Sequence, residues 1–267
     1  MREWYLVLAA VGLFALGVAI GWMMAGWEEP DLHDTLCQVS TIDSLLLGGY
    51  DGEFTFKELA EHGDFGIGTF HAIDGEMIAL DGSFYQVRAD GSVYPVRGDM
   101  TTPFSSVTFF EPDYRFTLEG TCNYSEFIER ALPQLPSRTM LYAIRMDVAA
   151  PYVKARAIPR QYKPYPPLAV ATADQSVFII NNTTGTIIGF FTPESFQGLN
   201  IPGFHLHYID SERTRGGHIL DFMLENVTVV LDSTPGFTLQ LPPSELMPEP
   251  DPERNLSDDL EFVELGR

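Results

Sequence analysis

Basic residues are scarce in this chain: 16 lysines and arginines face 37 aspartates and glutamates, for a formal net charge of -21. No long run of Lys or Arg relieves that balance, so phosphate backbones are repelled and no nucleic acid is expected as a partner. Cysteine is scarcer still. Cys37 and Cys122 are too few for a disulfide scaffold and wrongly spaced for a Cys-based zinc site. An extracytoplasmic location would permit one bridge between them, and two unpaired buried thiols are the alternative. Disorder and collagen-like repetition are excluded for most of the chain, because 45% of its 267 residues are hydrophobic and 20% charged.

Charge is missing altogether from one stretch, the 24 residues from Trp4 to Trp27, which Arg2 opens and Glu28 and Glu29 close. As a helix it reaches roughly 36 Å, enough to cross a bilayer core of about 30 Å. Residues 1–27 are therefore expected to be a signal anchor or a signal peptide. The run is long for a signal core, and Met23-Met24-Ala25-Gly26 makes a poor cleavage site, which favours an uncleaved anchor. The basic end comes first, so the rest of the chain is expected outside the cytoplasm, membrane-anchored or secreted. Residues 28–39, polar and Pro-containing, read as a tether.

Beyond the tether the chain is rich in strand signals. Asp74-Gly75, Asp81-Gly82 and Asp90-Gly91 punctuate short apolar-polar runs, the mark of an antiparallel meander with tight hairpins. Helical spacing is confined to Phe56 to His62 and to Ser125 to Leu135, where Ser125 can cap an apolar stripe. Five prolines between Pro151 and Pro167 suggest a crossing between sheets. Candidate strands resume at Leu168 to Thr172, Ser176 to Asn181, Thr186 to Thr192, Gly203 to Ile209 and His218 to Asp232. The expected fold is α+β and β-rich, with two packed domains on largely antiparallel sheets behind the N-terminal membrane segment. A meander sheet occupies residues 40–160 and a barrel-like sheet residues 161–241. An acidic tail, 242–267, ends in Leu260-Glu261-Phe262-Val263-Glu264-Leu265, whose apolar residues need a surface to cover.

The chemistry concentrates in Phe204-His205-Leu206-His207-Tyr208-Ile209 and, past a polar turn, His218. In a strand, residues i and i+2 share a face, so His205 and His207 project together, and the turn brings His218 onto the adjacent strand. Three imidazoles with open positions left for water or substrate make a catalytic metal site. The bland alternative is a pair of half-buried histidines and a third that merely starts a strand. Glu76 follows the Asp74-Gly75 turn and would display a carboxylate at a sheet end. Arg156, flanked by Ala155 and Ala157, could grip a carboxylate by two points. Glu264 belongs to the apolar tail end, where fraying is the default.

These residues and the phrases around them resemble the α-acetolactate decarboxylase family. The resemblance is carried from about Ser40 to Glu264 by Gly49-Tyr50-Asp51-Gly52, His62-Gly63-Asp64-Phe65-Gly66-Ile67-Gly68-Thr69-Phe70, Asp74-Gly75-Glu76-Met77 and Thr102-Pro103-Phe104. Further phrases are Gly189-Phe190 before Thr192-Pro193, Pro202-Gly203-Phe204-His205-Leu206-His207 and Gly216-Gly217-His218. It implies a homodimeric zinc enzyme that converts 2-acetolactate, a 2-hydroxy-3-keto acid, to acetoin and carbon dioxide. It places the metal-binding histidines on His205, His207 and His218, and the catalytic residues on Glu76, Arg156 and Glu264. Either glutamate could be an additional ligand. The implied chemistry has zinc chelating the ketone and hydroxyl oxygens and stabilising an enediolate, Arg156 holding the carboxylate, and Glu76 or Glu264 delivering a proton. Two other readings stand beside it. One is a cupin-type metal dioxygenase, for which Glu212 is the available carboxylate after the second histidine. The other is a membrane-tethered sensor domain with a structural metal.

Overall fold

A computed structural model describes residue 4, residues 32–249 and residues 255–265. The uncharged segment, and with it the expected anchor or signal peptide, lies outside the described residues apart from Trp4. Among the described residues no helix is long and apolar enough to cross a membrane.

Fourteen strands are described: β1 (Thr35–Val39), β2 (Phe54–Thr55), β3 (Phe65–Thr69), β4 (Glu76–Leu80), β5 (Ser83–Val87), β6 (Val93–Pro95), β7 (Thr101–Thr102), β8 (Ser105–Thr108), β9 (Tyr114–Asn123), β10 (Tyr142–Ala157), β11 (Ser176–Thr192), β12 (Gly203–Asp210), β13 (Gly216–Ser233) and β14 (Gly236–Gln240). Seven form one sheet in the order β14-β1-β8-β3-β4-β5-β6, with only the β14–β1 pair parallel. Of the three Asp-Gly pairs only Asp81-Gly82 is a two-residue hairpin turn; Asp90-Gly91 lies in a five-residue loop between β5 and β6, and Asp74-Gly75 ends a longer connection from β3 that contains the turn His71–Ile73. At Asp81-Gly82 both residues take left-handed φ, 52° and 75°, which matches the twist of the flanking strands. The second sheet runs β10-β11-β12-β13-β9, and a further β10–β13 pairing closes it into a barrel-like ring.

Alternation along the strands decides what faces what. In β12, Phe204, Leu206 and Tyr208 point into the barrel with Tyr142, Val153, Ile187 and Phe222. Ile209, with Ile188 and Phe190 of β11, faces the other way and packs on Leu36, Ile67, Ile78 and Val87 of the first sheet. The far side of that sheet is covered by the short helix Phe56–Leu59, whose Phe56 and Leu59 join Met77, Ala79 and Val107.

Several local expectations change. Thr35–Val39 is not tether: all five residues are buried, and β1 is hydrogen-bonded on one side to β14 and on the other to β8. Buried Thr35 and Gln38 interrupt its apolar residues, so neither a continuous apolar run nor an apolar-polar alternation marks it in the sequence. Leu168 to Thr172 forms a helical turn, Leu168–Ala171, started by Pro167, instead of a strand. Ser176 to Asn181 and Thr186 to Thr192 are parts of one long strand, β11. The second helix, Tyr124–Ala131, is capped by Asn123 with Glu126 in a capping box, not by Ser125. The chain passes between the sheets at residues 109–113, between β8 and β9, while residue 160 lies just past the end of β10. β14 then returns to the first sheet, so that sheet is not contiguous in sequence. Cys37 and Cys122 sit in separate apolar clusters as free buried thiols, and burial pushes the Cys37 thiol up to about 11.

Because Leu36 is fully buried between the sheets, Leu36→Ala should cost about 3 kcal/mol, read as a lowered urea midpoint with unchanged slope. A cost below about 0.5 kcal/mol, the range of surface substitutions, would return residues 35–39 to the tether.

Candidate active site

Register, not proximity in sequence, assembles the polar cluster between the sheets. Across β10, β13 and β12, Arg156 stands opposite His218, and His218 stands opposite His207. Cross-strand partners share a face, so all three project the same way, and His205 joins them two residues along. Gly217, with φ of 140°, precedes His218 where any Cβ would meet the Arg156 carbonyl. Only glycine lets the two strands approach that closely.

The three rings stand 5.0 to 5.4 Å apart between centroids and are buried. His205 Nε2 lies 3.1 Å from His218 Nδ1. His207 Nδ1 donates to the Met77 carbonyl at 3.0 Å, which commits that nitrogen to carrying the proton and leaves Nε2 with a free lone pair. That Nε2 is buried and has no hydrogen-bond partner. Burial depresses all three imidazoles, His207 to about 3 and the other two well below their ordinary value, so they are neutral at physiological pH. Neutral nitrogens converging within 4.8 Å, one of them orphaned, are a donor set that fits a metal ion.

Carboxyls flank the imidazoles. Glu76, first residue of β4, shares the barrel-facing side with Ile78 and Leu80, and its Oε2 lies 3.7 Å from His207 Nε2. Glu264 arrives from the helix Leu256–Leu265, with its Oε2 3.7 Å from His218 Nε2 and 3.9 Å from His205 Nε2. Leu256, Leu260 and Val263 supply that helix's apolar face, packed on the cluster of Ile42, Leu46, Phe104 and Ile158. The odd apolar tail end thus has its surface.

Arg156 ties the cluster together. Its Nη1 donates to Glu76 Oε1 at 3.1 Å, and its Nη2 donates to the Val263 carbonyl at 3.4 Å and lies 3.9 Å from Glu264 Oε1. Its Nε is buried without a partner. Burial raises Glu76 to about 6 and Glu264 to about 7, in each case against the pull of the guanidinium. All six residues singled out in the sequence therefore meet in one place, around a recess of about 40 Å³. Glu212, the carboxylate that a cupin-type reading would use, is exposed in the turn after β12 and takes no part. Sequence reasoning missed the Met77 carbonyl, which as backbone has no residue signal. It also missed Thr69, which lines the recess and donates to the Gly75 carbonyl at 2.7 Å.

Fold and cluster together define a β-rich protein with a buried histidine triad that could hold a metal ion, flanked by acid groups and a guanidinium. The family model for alpha-acetolactate decarboxylase matches residues 36–248. An alpha-acetolactate decarboxylase of Methanosarcina mazei is 50% identical over 86% of this chain and 80% of its own length, and one of Bacillus licheniformis is 45% identical over 78% and 83%. The crystal structure of alpha-acetolactate decarboxylase from Bacillus subtilis strain 168 superposes with a TM-score of 0.83 at 40% identity, covering 86% of this chain and 99% of that one. The chain belongs to the alpha-acetolactate decarboxylase family.

In chelator-treated protein the raised pKa of Glu264 carries a sign. A carboxyl raised from 4.5 to about 7 contributes stability that is complete below pH 4.5 and lost as pH rises through 7. Glu264→Gln, which cannot ionise, should lose less stability than the parent between pH 5 and pH 8 in urea unfolding. Equal losses would show that burial does not raise Glu264.

Proposed function

We propose that this chain decarboxylates 2-acetolactate to acetoin and carbon dioxide with a zinc ion held by His205, His207 and His218. It is an enzyme and, by its family, a carboxy-lyase. The observation that carries the reading is the orphaned Nε2 of His207 beside two further neutral imidazoles, with Arg156 bridging two carboxyls next to them. Nitrogen donors in a site with room for further ligands favour zinc.

Loss of carbon dioxide leaves an electron pair that must rest on the former ketone oxygen, so the barrier is largely the cost of that charge. Zinc, when bound, supplies the Lewis acidity that lowers this cost. Arg156 binds the substrate carboxylate: its unpartnered Nε and its Nη2 offer two parallel donors, a match for two carboxylate oxygens. That grip fixes the direction of the breaking bond. Glu76 and Glu264, on either side of the guanidinium, are the groups that can hold a proton near neutral pH and return it to the carbon that lost carbon dioxide. The fully buried Ile73 and Val263 in the wall of the recess keep water away. Homodimerisation and placement outside the cytoplasm belong to the same reading. The family resemblance supports the first and the uncharged stretch from Trp4 to Trp27 the second.

The test is acetoin formation from racemic 2-acetolactate by the zinc-supplied chain beside a His205→Ala control. The parent should form acetoin, and the control should lose both stoichiometric zinc and activity. Retention of zinc and full turnover in the control would sink the metal assignment. Arg156→Lys replaces a planar fork by a point charge and should lower kcat/KM by roughly 100-fold, about 2.7 kcal/mol. A lysine variant as fast as the parent would make Arg156 structural.

A further inference from the structure

We infer that the cleft adjoining the site is the entrance for the substrate and that Arg138 captures the substrate carboxylate there. The inference rests on the acetolactate reading of the site. The recess around the six residues is small, about 40 Å³, and it shares His218, Ile201 and Glu264 with a much larger cleft of about 840 Å³. That cleft runs outward between the helices Tyr124–Ala131 and Leu256–Leu265 and the turn Glu194–Phe196. Its wall is largely apolar, with Ile128, Leu132, Phe191 and Phe204 contributing.

The charges along this passage are lopsided. Asp43, Glu194, Glu261 and Glu264 line it, and Arg138 is the one lysine or arginine among the described residues that does so. A carboxylate substrate approaching a protein of net charge -21 past Asp43, Glu194 and Glu261 meets a repulsive field. Arg138 is exposed and, among the described residues, makes no hydrogen bond or ion pair. Arg145, by contrast, is committed to Asp81 and Asp147. A guanidinium left free at such a place offsets the local repulsion and offers a first docking point, before the carboxylate passes to the buried Arg156. The reaction then removes the charge that was captured. Acetoin and carbon dioxide are neutral, so Arg138 favours substrate over product at the mouth and does not hold product back.

The test measures equilibrium binding to the zinc-loaded full chain. The probe is 2,3-dihydroxy-2-methylbutanoate, the ketone-reduced and therefore unreactive form of the substrate, with neutral butane-2,3-diol as control. Arg138→Gln should weaken binding of the acid roughly two- to five-fold, the range for an exposed charge contact, and Arg138→Glu should weaken it further. Arg138→Lys should restore most of it. The difference should shrink at high salt, and binding of the diol should not move. In turnover of 2-acetolactate the glutamine variant should raise KM and leave kcat in place. A parent that makes acetoin while the glutamine variant binds the acid as tightly as the parent does would overturn the role of Arg138 and leave the function intact. Equal weakening of the diol would show a structural effect and overturn it too. A parent that makes no acetoin would overturn both readings together.

Discussion

A guanidinium buried between two sheets has to be neutralised where it stands, and Arg156 is nearly inaccessible to water. Its partners come from two distant parts of the chain: Glu76 at the start of β4, and the Val263 carbonyl and Glu264 carboxyl near the C-terminus. Desolvation makes an unpaired ion there prohibitively costly, so the seven-stranded sheet, the barrel and the tail helix are held to one arrangement by one side chain. The same arrangement leaves Nε of Arg156 and Nε2 of His207 without hydrogen-bond partners. Buried polar atoms without partners are rare in folded proteins, and two of those among the described residues belong to this one cluster. Both match what a carboxylate substrate and a metal ion supply.

The barrel tolerates this because its interior is filled by its own apolar side chains. The polar residues are pushed to its outer wall, where the first sheet covers them. Closure of β10 on β13 sets Arg156 against His218, and the short pairing of β13 with β12 sets His218 against His207. A slip of one residue in either register would turn an imidazole into the apolar core. Precision in the site is therefore a property of the strand pairing. The tail helix is held by Leu256, Leu260 and Val263, by a Gln197–Ser257 hydrogen bond and by the contacts of Arg156 with Val263 and Glu264.

Much of this was legible in the sequence because local rules cover it. The period of two put His205 and His207 on one face, the intervening polar turn delivered His218, and Asp-Gly pairs marked the meander hairpins. Other parts depend on contacts far apart in the chain. Thr35–Val39 becomes a strand because β14 and β8 flank it, and a five-residue stretch that mixes Leu36, Cys37 and Val39 with Thr35 and Gln38 carries no such information. Leu168–Ala171 is too short for periodicity to separate helix from strand, and the deciding feature is Pro167 before it. Glu264 had no local reason to leave the default of a frayed end, and only the family resemblance brought it to the site. The apolar spacing of Leu256, Leu260 and Val263 becomes informative once there is a surface for it to cover.

If a metal ion on the three neutral imidazoles is what makes this cluster a decarboxylase, activity must follow the metal. Stripping the parent protein with a chelator and measuring acetoin production from 2-acetolactate, then adding zinc back in measured amounts, puts that dependence to the test. Activity should disappear with the metal and return in proportion to zinc, reaching its full value at one ion per chain. A metal-stripped protein that still makes acetoin at the original rate would contradict the role given to the histidine triad.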